Sequence, residues 1–362
     1  MPGNHRPLVR GVMMQAQAHV FRVALTGDFF RRDGSPLYND IGTRVLDEQP
    51  GIEYAAFAEH RREIDPDQIG GAQAVVVLSP RVTTHSLSQS ENLLAICRFG
   101  VGYDSVDVPA CTAADVALIT AVGAVDRSVA EATVGWMLAL THHIRTKDLL
   151  VREGRWNERS QFMGRELRER TLGIVGMGGI GRAVVKLLAG FGMRQPLAFD
   201  PYLDPAVAAE MGVRLVPLDE LLASADFVSV HCPLNETTRG LLGRRELGLM
   251  RPEAYLINTA RGGIIDEDAL AEVLSEKRIA GAALDCFVGE PLLAPPRFAE
   301  FDNVLLAPHS IAWTDEMFRD IGETICTAAV ELALGRRPRG VVDADVLDHP
   351  GFQQKWQRLR LG

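Results

Sequence analysis

Three side chains in the second half of the chain have types that suit acid–base chemistry on an anionic ligand. Arg261 lies in the segment NTARGG after an apolar run, and its planar fork of donors suits a carboxylate. His309 follows a later apolar run, where an imidazole can act as a general acid or base. Glu290 lies between them in the chain, and a carboxylate beside an imidazole favours the protonated ring and holds its tautomer. Together the three predict a site that binds a carboxylate and transfers a proton.

Each of these residues also has a structural interpretation. An arginine at a strand end is often a surface ion pair, a glutamate before proline is usually solvated, and a histidine after proline can simply be packed. All three nevertheless follow successive apolar runs of one alternating pattern. That shared position favours the functional interpretation.

A glycine-rich turn lies upstream of them, in the segment TLGIVGMGGIGRAVVKLLAGFGMRQPLAFD. An apolar run at 172–175 predicts a buried strand, and a helical apolar pattern follows the turn. Between them Gly176, Gly178 and Gly181 form G-x-G-x-x-G, which allows a tight turn, a close approach of a pyrophosphate and close packing of helix on strand. The alternative is a glycine-rich turn in some other α/β protein. The ordered sequence of strand, motif and helix favours a dinucleotide site instead.

Asp200 ends the next apolar run of this βαβ unit. A carboxylate at that position can accept hydrogen bonds from the adenosine ribose hydroxyls, and it would repel a 2′-phosphate. The segment therefore predicts NAD in preference to NADP.

The elements that position these residues follow from short apolar runs separated by helix-length segments, which predict parallel sheets covered by helices. We predict strands at 21–26, 52–57, 74–78, 93–99, 116–120, 227–231, 255–258, 282–285 and 304–307. We predict helices at 39–46, 128–144 and 316–334, the second of them bridging two domains. Residues 145–170 are predicted to be charged and irregular, with Trp156 and Phe162 as isolated apolar anchors.

Ligands of doubly wound sheets bind at the carboxyl ends of strands. His231, residues 258–261, Asp285 and His309 are therefore expected to face one crevice, where Asp285 could meet the nicotinamide. His231 is the weaker candidate, because the segment HCP could contribute only backbone near the adenosine. Cys232 is expected to line that pocket as a small apolar side chain.

Length and composition bound the possible functions. The chain has 362 residues, which suggests two domains, and a formal net charge of −9, which argues against nucleic acid as a partner. Its five cysteines are scattered without a C-x-x-C pair, which predicts reduced thiols in the cytoplasm and no metal site. No apolar run has the length of a membrane span. Residues 1–20 lack the apolar core of a signal peptide and are predicted to be a tail, in which Met13 and Met14 offer alternative starts.

From about residue 21 to residue 339 the chain resembles the D-isomer-specific 2-hydroxyacid dehydrogenases. The matching segments are RFGVGYDSVD, SVAEATVGWMLAL, TLGIVGMGGIGR, HCPLNETTRGLL, INTARGGIIDEDAL, ALDCFVGEP and LAPHSIAWT. The resemblance implies two Rossmann-like doubly wound domains with a cleft between them. One is a flavodoxin-like substrate domain of residues 21–120 plus 312–345, the other an NAD-binding domain of residues 121–311, with a C-terminal tail at 346–362. It also implies a homodimer with residues near 127–165 in the interface.

The resemblance implies a role for each candidate residue. Arg261 would bind the substrate carboxylate and keto oxygen, His309 would protonate the carbonyl oxygen during reduction, and Glu290 would be its partner. Backbone N–H groups at Val101 and Gly102 would bind the carboxylate from the other domain. The implied cofactor-binding residues are Gly176, Gly178, Gly179, Ile180, Gly181, Asp200, His231, Cys232, Pro233, Thr259, Ala260, Arg261, Asp285 and His309. Glutamate at 290 argues against the formate dehydrogenases of this superfamily, which carry glutamine there.

The expected reaction is reversible hydride transfer between NAD(H) and a D-2-hydroxy acid/2-keto acid pair. Phosphoglycerate-type members carry an arginine that aligns with Leu78, and many carry a C-terminal regulatory domain that we expect to be absent here. Both differences weaken the prediction of a 3-phosphoglycerate-like substrate, so glyoxylate and hydroxypyruvate stand beside it as candidates. Trp313 either lines the acyl pocket or belongs to the core. The alternative function is an NAD(H)-sensing scaffold like the C-terminal-binding-protein corepressors, which keep the same three residues.

Overall fold

The computed structural model describes residues 20–361, and these residues form two parallel β-sheets. Hydrophobic cores lie on both faces of each sheet. The predicted fold of two doubly wound α/β domains is confirmed. The tail predicted at 1–20 and the alternative starts at Met13 and Met14 fall on residues 1–19, outside the described residues. No helix in the described part of the chain is long and apolar enough to cross a membrane.

The first sheet has five strands in the order β2-β1-β3-β4-β5, all of them parallel. The central strand β3 consists of alanine and three valines, all buried, as expected for a strand covered on both faces. Short helices fill the connections. The strands are β1 (Phe21–Leu25), β2 (Ile52–Ala56), β3 (Ala74–Val77), β4 (Ala95–Arg98) and β5 (Ala117–Thr120), and the helices are α1 (Arg44–Asp47), α2 (Pro66–Ile69) and α3 (Val108–Ala113).

Two helices join the domains. Helix α4 (Asp126–Thr141) lies between the cores, because Val129 packs on the core of the first sheet whereas Met137 belongs to a core of the second. Helix α5 (Ile144–Arg152) follows it. The sequence predicts that residues 145–170 are irregular, and this is wrong for the part that α5 occupies. The helix is short and amphipathic, and its many charged residues weaken the apolar pattern by which a helix is recognised. Trp156 is 61% exposed, so it is not an anchor.

The second sheet has seven parallel strands in the order β12-β11-β10-β9-β6-β7-β8. The direction of winding reverses between β6 and β9, and the glycine-rich turn follows β6, at the point where doubly wound sheets bind ligands. The strands are β6 (Leu172–Val175), β7 (Leu197–Phe199), β8 (Arg214–Leu215), β9 (Phe227–Val230), β10 (Tyr255–Asn258), β11 (Gly281–Leu284) and β12 (Val304–Leu306). The helices are α6 (Gly179–Leu188), α7 (Pro205–Glu210), α8 (Leu218–Ser224), α9 (Arg244–Leu247) and α10 (Glu267–Ser275).

The chain then returns to the first sheet through α11 (Asp315–Ala333). Thr314 caps this helix by accepting a hydrogen bond from the N–H of Met317 at 3.1 Å. Phe318 and Ile325 on the buried face of α11 pack into the same core as β1. The core packed on the first sheet thus contains residues from both ends of the described chain.

Residues 346–362 are not the tail that the sequence predicts. Residues Pro350–Leu359 form helix α12, which buries Phe352, Trp356 and Leu359 in the core of the first sheet. The indole N–H of Trp356 donates to the carbonyl of Leu332 on α11 at 2.7 Å. Three apolar residues at helical spacing after a helix-starting proline are the signal that would have identified it.

Candidate active site

The turn after β6 is closed against its surroundings in a way that only glycine allows. Gly176 has φ +97°, and a Cβ on it would lie 2.7 Å from the backbone nitrogen of Cys232. A Cβ on Gly181 would lie 2.6 Å from the carbonyl oxygen of Gly176. Helix α6 begins at Gly179 after Gly178, which has no side-chain cap, so its first N–H groups are available to an anion. The turn therefore fits a dinucleotide pyrophosphate.

Asp200 is fixed at the end of β7 beside this turn. Its carboxylate accepts hydrogen bonds from the N–H of Met177 and the N–H of Tyr202, each at 2.9 Å. A carboxylate has about four acceptor sites, so two oxygens held in this way can still accept from ribose hydroxyls.

Asp126, at the start of α4, also reaches the turn. A Cβ on Gly179 would overlap its carboxylate. The side chain accepts no hydrogen bond from residues 20–361, and burial raises the pKa of this carboxyl group. Nothing in the local sequence around Asp126 indicates this position, because the contact joins segments that are far apart in the chain.

The segment after β9 lies opposite the turn. The Nε2 of His231 lies 2.8 Å from the hydroxyl of Ser229, while its Nδ1 is buried without a partner among the described residues. Burial lowers the pKa of His231 to about 4 and raises the pKa of the Cys232 thiol to about 11, so both are neutral at pH ~7. Pro233 is exposed, and its carbonyl accepts from the hydroxyl of Thr238 at 2.6 Å.

Asn258 shapes the loop after β10. Its amide donates to the carbonyl of Arg261 at 2.8 Å, and its Oδ1 accepts from the N–H of Ala260 at 3.0 Å. The hydroxyl of Thr259 lies 3.5 Å from that of Thr133 on α4. The loop is therefore held before any ligand binds.

Arg261 extends from this loop to the other domain. Its Nε donates to Asp104 Oδ1 at 2.7 Å, and its Nη1 donates to the carbonyl of Ala260 at 2.7 Å. A Cβ on Gly102 would overlap Nη2, so the guanidinium lies directly against the Val101–Gly102 backbone. The N–H groups of these two residues donate to no acceptor within residues 20–361. The guanidinium of Arg261 and the backbone N–H groups of Val101 and Gly102 thus converge from opposite sides of the cleft.

Asp104 is a partner of this arginine that sequence reasoning missed. Burial raises the pKa of Asp104, but the charge and hydrogen bond of Arg261 outweigh burial and hold that pKa below its usual value. The carboxylate is therefore ionised at neutral pH.

His309 and Glu290 form a direct pair. Nδ1 of His309 lies 2.6 Å from Glu290 Oε2, and Glu290 Oε1 accepts from the N–H of Phe287 at 2.7 Å. Burial raises the pKa of Glu290, but the hydrogen bond and charge of His309, the Phe287 N–H and Arg261 together bring it below its usual value. The Nε2 of His309 is the nitrogen left for a substrate.

Asp285, at the end of β11, positions the histidine backbone. Its carbonyl accepts from the N–H of His309 at 2.8 Å, and its Oδ1 accepts from the N–H groups of Ser310 and Ile311 at 2.9 and 3.2 Å. Burial raises the pKa of Asp285, with the backbone hydrogen bonds opposing it. His309 has φ +53°, a conformation that few non-glycine residues adopt, and these bonds hold it there.

A thiol lies beside this pair. Cys286, Glu290 and His309 each offer one potential metal-ligand atom, and these atoms lie within 4.8 Å of one another. The Cys286 thiol donates to the carbonyl of Ala260 at 3.3 Å, and burial raises its pKa, so it is protonated at neutral pH. The absence of a metal remains a prediction.

Comparison with known proteins gives consistent results. Residues 134–310 match the family model described as D-isomer specific 2-hydroxyacid dehydrogenase, NAD binding domain, which confirms the predicted NAD cofactor. The chain is 38% identical over 322 residues to the D-3-phosphoglycerate dehydrogenase of Methanocaldococcus jannaschii, a match over 88% of this chain and 59% of the relative. It is 37% identical over 276 residues to the human enzyme of that name, 75% of this chain and 51% of the relative. The chain thus spans less than two thirds of these relatives.

Two solved structures share the fold along nearly the whole chain. The D-lactate dehydrogenase of Aquifex aeolicus, complexed with NAD and lactic acid, has 26% identity and a TM-score of 0.74, over 86% of this chain and 96% of that one. A glyoxylate reductase from Paecilomyes thermophila has 25% identity and a TM-score of 0.76, over 89% of this chain and 98% of that one.

Proposed function

We propose that this chain, which belongs to the D-isomer-specific 2-hydroxyacid dehydrogenase family, transfers a hydride between NAD(H) and a D-2-hydroxy acid/2-keto acid pair. The observation that carries the proposal is the convergence of Arg261 from one domain and the Val101–Gly102 backbone from the other. The paired side chains His309, after β12, and Glu290, after β11, follow strands of the same sheet as Arg261. This arrangement offers a carboxylate site and a proton donor at the carboxyl ends of a dinucleotide-binding sheet.

The residues of the chain divide the reaction between them. Arg261 and the free N–H groups of Val101 and Gly102 bind the substrate carboxylate. In the reductive direction bound NADH supplies a hydride for the keto carbon. His309 delivers a proton from Nε2 to the carbonyl oxygen, while Glu290 at Nδ1 stabilises the charged ring. Oxidation of the hydroxy acid reverses the proton transfer.

The cofactor is held by the residues that the turn and the strand ends present. The N–H groups of Gly179 and Ile180 would bind the pyrophosphate, and Asp200 would accept hydrogen bonds from the adenosine ribose. Cys232 would line the same pocket as a neutral thiol, and Asp285 would lie near the nicotinamide. Gly176 and Gly181 have no side chains that could cover the backbone of the turn, so a pyrophosphate could approach it closely.

The deciding experiment is a panel of 2-keto acids assayed by loss of NADH absorbance. We expect turnover with at least one of glyoxylate, pyruvate, hydroxypyruvate and phosphohydroxypyruvate. Tight NADH binding without turnover of any of them would instead support the NAD(H)-sensing scaffold. The relatives reported above are named dehydrogenases and reductases, which favours the enzyme.

We further propose a homodimer whose interface includes α5 and the residues after it. The large apolar side chains Ile144, Val151, Trp156 and Met163 are exposed in this one segment, from 54% to 78%. Such a cluster marks an interaction surface. Trp156→Glu should shift the sedimentation coefficient of the protein towards that of a monomer, and an unchanged coefficient would contradict the interface. All five cysteines are free thiols, which supports a cytoplasmic location.

A further inference from the structure

Across the cleft from His309, the strand ends of the first sheet carry two side chains of opposite charge. Asp28 follows β1, and Arg98 is the last residue of β4. We call the carboxyl ends of β1, β3 and β4 the substrate-side rim. Both side chains are partly exposed there, and neither belongs to the proposed acid–base pair.

Each of these side chains keeps one buried polar atom without a partner. Oδ2 of Asp28 accepts from the N–H of Ser79 at 2.9 Å, but Oδ1 is buried and unpaired within residues 20–361. Nη1 of Arg98 donates to the carbonyl of Phe99, but its Nε is buried and unpaired in the same sense. A buried donor or acceptor without a partner destabilises a fold, and natural proteins keep few of them. The bond to Ser79 brings Asp28 from β1 to the end of β3, and β3 pairs with β4, which ends at Arg98. One acceptor and one donor at this edge of the sheet match the two needs of a hydroxyl group.

The positive charges of Arg98 and Arg261 are already balanced by nearby acids, so the site has no excess positive charge for an anion in addition to the substrate carboxylate. Burial and the charge of Arg261 lower the pKa of Arg98 to about 10, with Asp104 and Asp28 opposing them, so Arg98 remains charged. Leu78, at the end of β3, adds no cation. The interacting set consists of three bases and four acids: Arg98, Arg261 and His309 against Asp28, Asp104, Asp285 and Glu290.

Aromatic rings bound the same corner. Burial and the charge of Asp28 raise the pKa of Tyr38, which places its phenol near that carboxylate. The ring of Trp313 meets the Tyr38 ring edge-on at 5.8 Å between centroids, and Trp313 is 49% exposed. The ring therefore stands at the surface of an aromatic cluster that includes Tyr38, the neighbour of Asp28.

We propose that Asp28 and Arg98 bind a hydroxyl group on the third carbon of the 2-keto acid, so that the substrate is an unphosphorylated 3-hydroxy-2-keto acid. The inference rests on the proposed function. The hydroxyl donates to Oδ1 of Asp28 and accepts from the Arg98 guanidinium. A phosphate at this carbon would instead face the carboxylate of Asp28 in a site that already has more acids than bases.

The test compares three keto acids that differ only at the third carbon: pyruvate, hydroxypyruvate and phosphohydroxypyruvate. With NADH and the whole chain, we expect kcat/KM for hydroxypyruvate to exceed that for each of the others by roughly tenfold or more, as expected when a site built for a hydroxyl receives a ligand without one. A preference for phosphohydroxypyruvate would overturn the inference while leaving the proposed function intact. Failure of all three, and of glyoxylate, would overturn the proposed function and the inference with it.

Two variants test the residues themselves. Asp28→Asn keeps the shape but removes the charge, so the preference for hydroxypyruvate over phosphohydroxypyruvate should fall by about tenfold. Arg98→Lys keeps the charge but loses the planar donor, so the preference over pyruvate should fall by a similar factor of about ten. Unchanged ratios in both variants, with NADH binding intact, would overturn the assignment.

The matched control is Asp67→Asn. Asp67 is an exposed acid of the same domain whose carboxylate pairs with Arg61 at 3.0 Å. All three substrate ratios should stay within about twofold of the native values in this variant, since a screened surface charge contributes little. A shift as large as that of Asp28→Asn would show a general charge effect and overturn the specific role of Asp28.

Discussion

On the side of the cleft formed by the seven-stranded sheet, both carboxylate oxygens of Glu290 and of Asp285 accept hydrogen bonds. Across the cleft, on the substrate-side rim, Asp28 and Arg98 each keep a buried atom unpaired. The difference indicates that the two domains have different roles in binding and catalysis. The groups proposed for proton transfer are oriented before a substrate arrives, whereas the groups proposed for recognition are completed by it.

Arg261 belongs to both sides. Its backbone lies in the loop that Asn258 holds, and its guanidinium is bound to Asp104 and packed against Gly102 of the other domain. Substrate binding between the domains therefore acts on a link that already exists. This contact makes the comparison testable, because each side can be altered separately.

The largest effect should come from removing the oriented proton donor. We expect His309→Ala to lower kcat in both directions by about 10²–10⁴-fold, the usual contribution of a positioned acid–base group. NADH affinity, measured by fluorescence titration, should change little. His85→Ala, which alters an exposed histidine paired with Asp65, is the control and should keep native activity. Activity within tenfold of native in His309→Ala would show that the oriented side does not carry the proton.

A smaller effect is expected where the two sides meet. Arg261→Lys keeps the charge but cannot reach Asp104, Ala260 and a carboxylate with one planar fork. We expect kcat/KM for the best keto acid to fall by about a hundredfold, in proportion to the loss of a charge-assisted bidentate contact. The control Arg245→Lys removes a similar surface pairing with Asp219 and should have no effect. Loss of NADH affinity in parallel with turnover would make Arg261 a structural residue.

The third prediction tests how Glu290 contributes to the oriented side. Its pKa lies below the usual value, so its charge is present at all pH values above the usual pKa and is lost only as the pH falls through the lowered one. Between pH ~6 and ~9 the carboxylate is therefore constant, so a change of rate within that range does not come from loss of the Glu290 charge. Glu290→Gln keeps a hydrogen bond to the ring but removes the negative charge that stabilises the protonated ring.

In the Glu290→Gln variant, the rate of keto-acid reduction should accordingly begin to fall at a lower pH than in the native protein. Above neutrality we expect its kcat/KM for reduction to be about tenfold lower than the native value. Oxidation should gain over the same range, because it needs the neutral ring. The measurement is kcat/KM against pH in both directions. Profiles that overlay would show that Glu290 orients the ring without affecting its charge.

The sequence predicted much of the oriented side and little of the other. Strands β6, β9, β10, β11 and β12 follow from apolar runs, and the order of glycines and Asp200 is a local pattern that one segment contains. The prediction of a tail at 346–362 is wrong because helix α12 is short and C-terminal, although its apolar residues recur at helical spacing. These are errors of local pattern.

The unpaired atoms have a different origin. Asp28 follows β1, whereas Arg98 ends β4 and Asp104 lies in the loop after β4. Whether each finds a partner depends on side-chain geometry that no local pattern records. The same holds for Asp126 and Gly179, whose contact joins the start of α4 to the start of α6. Sequence reasoning located residues that share a segment. It did not locate residues that meet only through tertiary packing.

Asp126 supplies the smallest predicted effect, and it challenges the comparison directly, because it is an unpaired acid on the otherwise oriented side. Its carboxylate lies against Gly179, where the first N–H groups of α6 are available to a pyrophosphate. A second anion there repels the first. Asp126→Asn should therefore tighten NADH binding by about three- to fivefold, and Glu131→Gln, an exposed acid of the same helix paired with Arg127, should leave it unchanged.

The pH dependence of NADH binding tests independently whether the charge of Asp126 weakens that binding. Because burial raises the pKa of Asp126, the group becomes neutral at a higher pH than an exposed aspartate does, and NADH should bind more tightly as the pH falls through that raised pKa. In Asp126→Asn this gain should disappear. Isothermal titration of NADH from pH ~4.5 to ~7.5, within the range where the protein stays folded, measures both effects. Weaker binding by Asp126→Asn would mean that the carboxylate contacts the cofactor favourably. Asp126 would then be paired when NADH is bound, and no acid at this turn would be left without a partner.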